Sequence, residues 1–314
     1  MSARALGLLT GFVADRLWGD PVRRHPVAAF GSLALRLERR LYADDRRAGA
    51  AFTVLLVGGA ALAGSAVERA TAQRPVLRFA ATAATTWAVV GGRSLIAEAD
   101  AVRDRLVACD LPAARQQLTH LVGRDTDELD EAAIARAVIE SVAENTSDAV
   151  VAPLLAGAVA GIPGLVAYRA ANTLDAMVGH RNERYTRFGW ASARLDDALN
   201  WAPARIGAAL VVGLAPAVGG EPATARRIWQ RDAPAHPSPN AGPIEAAFAG
   251  ALDVRLGGVN RYGGQVEDRH TLGDGRSAGV GDIEAANHLS LLVGVASAVT
   301  AATIAAVVSR RGRP

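Results

Sequence analysis

Six stretches of this chain are apolar for ten residues or more, and the polar residues crowd between them: 5–14, 48–67, 79–92, 149–168, 206–220 and 289–309. The first lies behind Arg4 and ends at Asp15 without a small-x-small cleavage site, so it reads as a retained hydrophobic helix. Residues 33–47 are densely charged, with Leu33, Leu37 and Leu41 at helical spacing, which predicts an interfacial amphipathic helix. Runs 48–67 and 79–92 predict a helical hairpin, the first long enough to span a bilayer. From Arg93 to Asp148 the chain turns amphipathic and acidic, and Thr126 to Asp148 reads as one helix with its acids gathered at the N-terminal end. Run 149–168 carries Pro153, Gly157, Gly161, Pro163 and Gly164, which predicts a broken or close-packed helix.

Run 206–220 is short and split by Pro216, and is expected to be re-entrant or buried in protein. Residues 221–288 form the longest hydrophilic section. Run 289–309 has no charge over twenty-one residues and is followed by Arg310, Arg311 and Arg313, which predicts a cytoplasmic C-terminus. No useful strand-period alternation is seen. The pattern predicts an all-α, polytopic integral membrane protein with amphipathic helices and long polar loops. Residues 1–314 would form a single membrane-embedded domain with four or five spans.

Composition narrows the chemistry. The net charge of +3 is small and no basic cluster is interleaved with aromatics, so nucleic-acid binding is set aside. Cys109 is the only cysteine, which excludes an internal disulfide or a multi-thiolate metal site. Every basic residue other than histidine is arginine. A P-loop lysine and a Schiff-base lysine are therefore excluded, and bound phosphates would need arginine, backbone amides or a metal.

The candidate site lies between Glu140 and Asn200. On a helix Glu140, Glu144 and Asp148 share a face, with Asn145 beside them. Asn172 and Asp175 stand three apart, and Asp196, Asp197 and Asn200 repeat the arrangement. Carboxylates and amides at the edge of an apolar run suit Mg²⁺, which takes oxygen ligands and shares them with phosphates. Arginines 169, 181, 184, 187 and 194 stand nearby to meet phosphate oxygens. Acid pairs at helix ends also serve as caps, and interfacial arginines also follow membrane orientation.

Taken together, the motifs resemble the CobD/CbiB family of cobalamin-biosynthesis membrane proteins, the adenosylcobinamide-phosphate synthases. The resemblance rests on Gly19-Asp20-Pro21 with His25-Pro26-Val27, on Glu140-Ser141-Val142-Ala143-Glu144-Asn145-Thr146-Ser147-Asp148 and on Tyr168-Arg169. It continues through Asn172-Thr173-Leu174-Asp175-Ala176-Met177-Val178-Gly179, Ala193-Arg194-Leu195-Asp196-Asp197, Pro203-Ala204-Arg205 and Ser238-Pro239-Asn240-Ala241-Gly242 to Leu256-Gly257-Gly258. Such a resemblance implies a multi-pass protein of the bacterial inner membrane. It would form an amide between the free propionate of adenosylcobyric acid and (R)-1-amino-2-propanol or its O-phosphate, consuming ATP. Homo-oligomers, or association with other late-pathway membrane proteins, would be compatible with that role.

Under this resemblance Glu144, Asp148, Asp175 and Asp197 are the expected metal ligands. Arg169 and Arg194 would hold phosphate oxygens, and Glu140 or His236 would accept the amine's proton. Asn145, Asn172 and Asn240 would orient amides around the corrin ring, and Asp20 and His25 would close the site. Asp196 and Ser238 complete the expected set. Two rivals remain at this point. One is a Mg²⁺-dependent membrane transferase acting on a lipid diphosphate, and the other is a non-enzymatic transporter or sensor subunit.

Overall fold

The computed structural model describes residues 2–20, 25–180, 182–262 and 265–311. Helices come first: α1 (Ala3–Trp18), α2 (Pro26–Leu41), α3 (Arg46–Thr71), α4 (Pro75–Val89), α5 (Gly92–Val107), α6 (Leu111–Leu118) and α7 (Glu131–Thr146). A π turn over Ser147–Val151 leads into α8 (Ala152–Val178). Then come α9 (Trp190–Leu214), α10 (Pro222–Asp232), α11 (Ala241–Leu252), strands β1 (Val254–Tyr262), β2 (Gln265–Leu272) and β3 (Arg276–Ser277), and α12 (Val280–Arg311). Four helical stretches are long and apolar enough to cross a membrane: Arg46–Thr71, Glu131–Val178, Trp190–Val218 and Val280–Ser309. The expectation of a helical membrane protein therefore holds. The chain divides into two compact units, one of residues 1–91, 148–200 and 297–314, the other of 92–147 and 201–296.

In the first unit α1 lies tightly on α4. Gly7 and Gly11 face Thr82 and Thr86, and a side chain on either glycine would overlap those threonines and the carbonyls of Phe79 and Ala83. Small residues at such a seam let two backbones approach, which is how helices associate where no water is displaced. Leu8, Phe12, Val89, Leu154 and Leu165 build one apolar cluster, and Phe52, Leu56, Leu174 and Phe188 another.

Helix α8 is broken as its prolines and glycines predicted. Gly161 has φ +70°, a left-handed conformation that glycine alone adopts without strain. Two prolines remove helix donors, and both freed carbonyls find partners. Pro153 cannot bond the Ala149 carbonyl, which accepts from the Gly91 amide at 3.1 Å. Pro163 cannot bond that of Val159, which accepts from Arg4 Nη1 at 3.3 Å. The Ile162 amide, exposed by the break, donates to Glu68 Oε2 at 2.9 Å. Glu68 Oε1 in turn accepts from Arg4 at 2.6 Å and Arg78 at 2.7 Å, so the freed carbonyl, the freed amide and the acid itself all find partners.

Several expectations are corrected. The helix expected over 33–47 starts earlier, at Pro26, where His25 caps it, and ends at Leu41. Its buried positions are Ala34 and Glu38, while Leu33 and Leu41 are exposed. Thr126–Asp148 is not one helix. Asp130 caps α7 by accepting from the Ala133 amide at 2.8 Å, so residues before 131 stay outside. Asp148 falls on the π turn, where the i, i+4 spacing assumed for Glu140, Glu144 and Asp148 no longer applies. Run 206–220 is no isolated segment but the end of α9 and the short 3₁₀ turn that follows.

The second unit holds the main surprise, a small sheet within the supposedly irregular section. β1 is central, antiparallel to β2 and parallel to β3. The register shifts between Gly257 and Val259, and Gly257 and Gly258 both have positive φ, so the bulge needs these two glycines. Beside the sheet, all twelve residues of α11 are buried, as a helix apolar on every side should be.

Candidate functional site

In the first unit the acids and amides form one hydrogen-bonded array along α8 and α9. The Tyr168 hydroxyl lies 2.9 Å from the Asp148 carbonyl and 2.8 Å from Asn200 Oδ1, two acceptors that share its single proton. Asn200 Nδ2 donates to Asp196 Oδ2 at 2.9 Å, and Asn172 Nδ2 reaches Asp196 Oδ1 at 3.4 Å. Asp196 and Asn200 are buried, whereas Asp148, Asn172, Asp175 and Asp197 are half-buried, a graded approach from core to surface. The structure thus gathers Asp148, Asn172, Asp196 and Asn200 around Tyr168, a residue that spacing alone did not single out.

Asp175 stands one turn beyond Asn172, and its surroundings explain the glycine that ends the motif. A Cβ on Gly179 would lie 1.9 Å from Asp175 Oδ1, although the φ of Gly179, −74°, makes no demand. Space for the carboxylate, not backbone conformation, fixes glycine there. Exposed Arg194 sits 3.8 Å from Asp197 on the same helix. Arg169 is half-buried, with its Nε buried and unbonded. Nearer the N-terminus His25 caps α2 through Nδ1, 3.1 Å from the Val27 amide, and its Nε2 lies 3.7 Å from Asp20. Arg181, another expected phosphate partner, and Pro21 lie outside the described residues. Arg184 binds buried Glu38 at 2.9 Å and stacks over Tyr42, so it serves the fold.

The second unit assembles a different set. Glu140, 5% exposed, is held on all sides: Oε1 accepts from the Gly257 amide at 2.7 Å, Oε2 accepts from Arg124, and Arg136 stands 3.8 Å away. It ties α7 to the bulge of β1, a strut whose two oxygens are each already engaged. Arg124 also bonds Asn260. Half-buried Glu144 feels Glu140, Arg124 and Arg269, and Asn145 turns back to donate to the Ser141 carbonyl at 2.9 Å. Ser238 caps α11, its Oγ accepting from the Ala241 amide at 3.1 Å, and its own amide donates to His236 Nδ1 at 3.1 Å. Asn240 is buried at the head of α11.

Beneath these lies Glu245, 1% exposed, which the sequence reading missed. The signal was present, since it is the one charge between Ala241 and Leu252. A lone acid in an apolar run is as costly as the carboxylates at the edge of run 149–168 and as much a reason to suspect a task. Burial, then repulsion from Glu140 and Glu144, pushes its carboxyl well above the usual range. Burial holds the neighbouring His236 imidazole below its usual value. Among the described residues no three His, Cys, Asp or Glu side chains are gathered closely enough to hold a metal ion.

Fold and site together define a helical membrane protein with four stretches able to cross a bilayer and with buried acid–amide arrays. Comparison with known proteins makes this specific. The family described as CobD/Cbib protein matches residues 8–290, and the chain belongs to that family. It is 52% identical over 299 residues to a "Cobalamin biosynthesis protein CobD" of Mycobacterium tuberculosis, covering 95% of each chain. It is 47% identical over 276 residues to one from Chromobacterium violaceum, covering 86% of this chain and 87% of the other. It is 39% identical over 284 residues to one from Halalkalibacterium halodurans, covering 88% and 89%. No solved structure matches.

Proposed function

We propose that the chain acts in cobalamin biosynthesis as a carbon–nitrogen ligase of the bacterial inner membrane. It joins the free propionate of adenosylcobyric acid to (R)-1-amino-2-propanol or its O-phosphate with consumption of ATP. A carboxylate resists attack by an amine until its oxygen becomes a leaving group. Phosphorylation by ATP supplies one, after which the amine nitrogen bonds to the acyl carbon and phosphate departs with the oxygen.

The observation that carries the reading is the array around Tyr168, in which Asp148, Asn172 and Asp196 fall within the motifs that resemble the family. Asp148, Asp175 and Asp197 are the carboxylates that would hold Mg²⁺, one or two at a time, with nucleotide phosphates supplying its other ligands, as this ion commonly binds. That mode asks for no ready-made cage of three or more side chains. Bound so, the ion offsets phosphate charge. Arg169 and Arg194 are the cations available to phosphate oxygens from the same helices. Tyr168 and Asn200 hold Asp196 in place, and Gly179 keeps Asp175 unobstructed.

The test uses purified protein in detergent with adenosylcobyric acid, ATP and Mg²⁺, supplied with each amine in turn. Mass spectrometry should find the adenosylcobinamide or its phosphate, and Asp148→Asn and Asp175→Asn should abolish it. Failure of the wild type to form an amide or consume ATP with either amine would refute the assignment.

A further inference from the structure

Glu245 and His236 face each other deep in the second unit without a hydrogen bond between them. Glu245 Oε2 lies 3.8 Å from His236 Nε2, and the two side chains are 2% and 0% exposed. Neither Glu245 Oε1 nor His236 Nε2 has any hydrogen-bond partner. Leaving a buried polar atom unbonded is costly, so its persistence calls for something that fills it.

The surrounding charges say what kind of group that is. Glu245 is faced by Glu140, Glu144, Arg124 and Arg269, and His236 by Arg269, Glu140 and Glu267. Arg136 joins through Glu140. Four acids (Glu140, Glu144, Glu245, Glu267) thus meet three arginines (Arg124, Arg136, Arg269), one positive charge short of balance. Burial and repulsion favour the protonated form of Glu245, and burial favours the uncharged form of His236 beside it. A cation can make up the same difference.

We propose that this cluster seats the substrate's amine: a primary ammonium group enters past half-buried Glu144 and binds between Glu144 and Glu245. The inference rests on the reading of the chain as an amide-forming enzyme and locates the amine within it. The balance is simple. The R–NH₃⁺ group arrives, the Glu245 carboxyl gives its proton to solvent, and the charge of the cluster is unchanged. No covalent bond to carbon forms or breaks in this step, and one proton is released for each amine bound.

The experiment is calorimetric titration of the detergent-solubilised full chain at pH 7 with (R)-1-amino-2-propanol, in buffers of different ionisation enthalpy. It is run with and without adenosylcobyric acid and a non-hydrolysable ATP analogue, and propane-1,2-diol is the probe lacking the amine. The wild type should bind the amine, release about one proton and ignore the diol. Glu245→Gln mimics the protonated acid and should keep the fold. It should bind the amine at least tenfold more weakly and release no proton, while Glu245→Asp should retain part of both. Amine binding without proton release, no amine binding under either condition, or an unaltered Glu245→Gln would overturn the proposal. Turnover separates the two readings. If wild-type protein makes the amide but Glu245→Gln leaves the KM for amine unchanged, the pocket is wrong and the reaction stands. If the amine binds with proton release and no amide forms, the pocket stands and the reaction is wrong.

Discussion

Glu68 in the first unit and Glu245 in the second are both acids removed from water, and they are treated in opposite ways. Glu68 receives two arginines and a backbone amide, so every demand of its charge is met. Glu245 keeps one oxygen without a partner and stands among carboxylates that repel it. The first arrangement fixes a shape, because removing the acid would strand two arginines and an amide. The second stores an imbalance that a ligand can relieve. Burial of a charge therefore does not separate scaffold from site; the completeness of its partnering does.

That contrast can be pressed experimentally. Glu68→Ala should have the largest effect, about 2–3 kcal/mol of stability, since it takes the acceptor from two half-buried arginines and the Ile162 amide; denaturant unfolding in detergent measures it. Gly179→Ala should spare the melting temperature but cut amide formation by about 100-fold, as a displaced catalytic carboxylate does. A variant with full turnover would show that Asp175 need not hold its position. Tyr168→Phe should cost about 1–2 kcal/mol through the unmet acceptors at Asp148 and Asn200, read by the same unfolding assay.

Glu245→Gln should run the other way. A carboxyl held above its ordinary value of 4.5 keeps its proton in the fold while the unfolded chain has lost it. Native stability therefore falls as pH rises above about 4.5 toward the raised value, and glutamine escapes that loss. The melting advantage of the variant should be absent near pH 4 and widen toward pH 8. His236 has the reverse sign: held below 6.5, it costs stability as pH drops through that value. Asp274 should matter least. Exposed between Arg227 and Arg231 and lowered to about 2, it contributes a solvent-screened pair. Asp274→Asn should leave the melting temperature at pH 7 almost unmoved.

Much of this was legible beforehand because membrane helices announce themselves by length and composition. The break in α8 was written in Gly161 and Pro163, but the group that stabilises it was not, since Glu68 comes from a helix ninety residues away in the chain. The hairpin escaped notice for a physical reason. Val254, Leu256 and Leu272 point inward, but the bulge at Gly257 and Gly258 interrupts the alternation, and beyond it Val259 and Val266 are exposed while Asn260 is buried. Gly263-Gly264 between the two runs was a turn signal left unread, and it lies outside the described residues. Of the expected site, the spacing of Asn172, Asp196 and Asn200 conveyed a real cluster. Arg124 and Arg269 could not be inferred, because nothing local distinguishes them from the other arginines.

The bend at Gly161 also alters the arithmetic of bilayer crossing. The helical stretch Glu131–Val178 has 48 residues, which drawn straight would reach about 72 Å, more than twice a hydrocarbon layer of about 30 Å. Interrupted there, it ends in a separate piece, 162–178, of about 25 Å. Whether that shorter piece traverses the layer or turns back decides the parity of every later segment, and with it which compartment receives the C-terminus. The sidedness of the last third of the protein is thus tied to one glycine and the acid that keeps it bent.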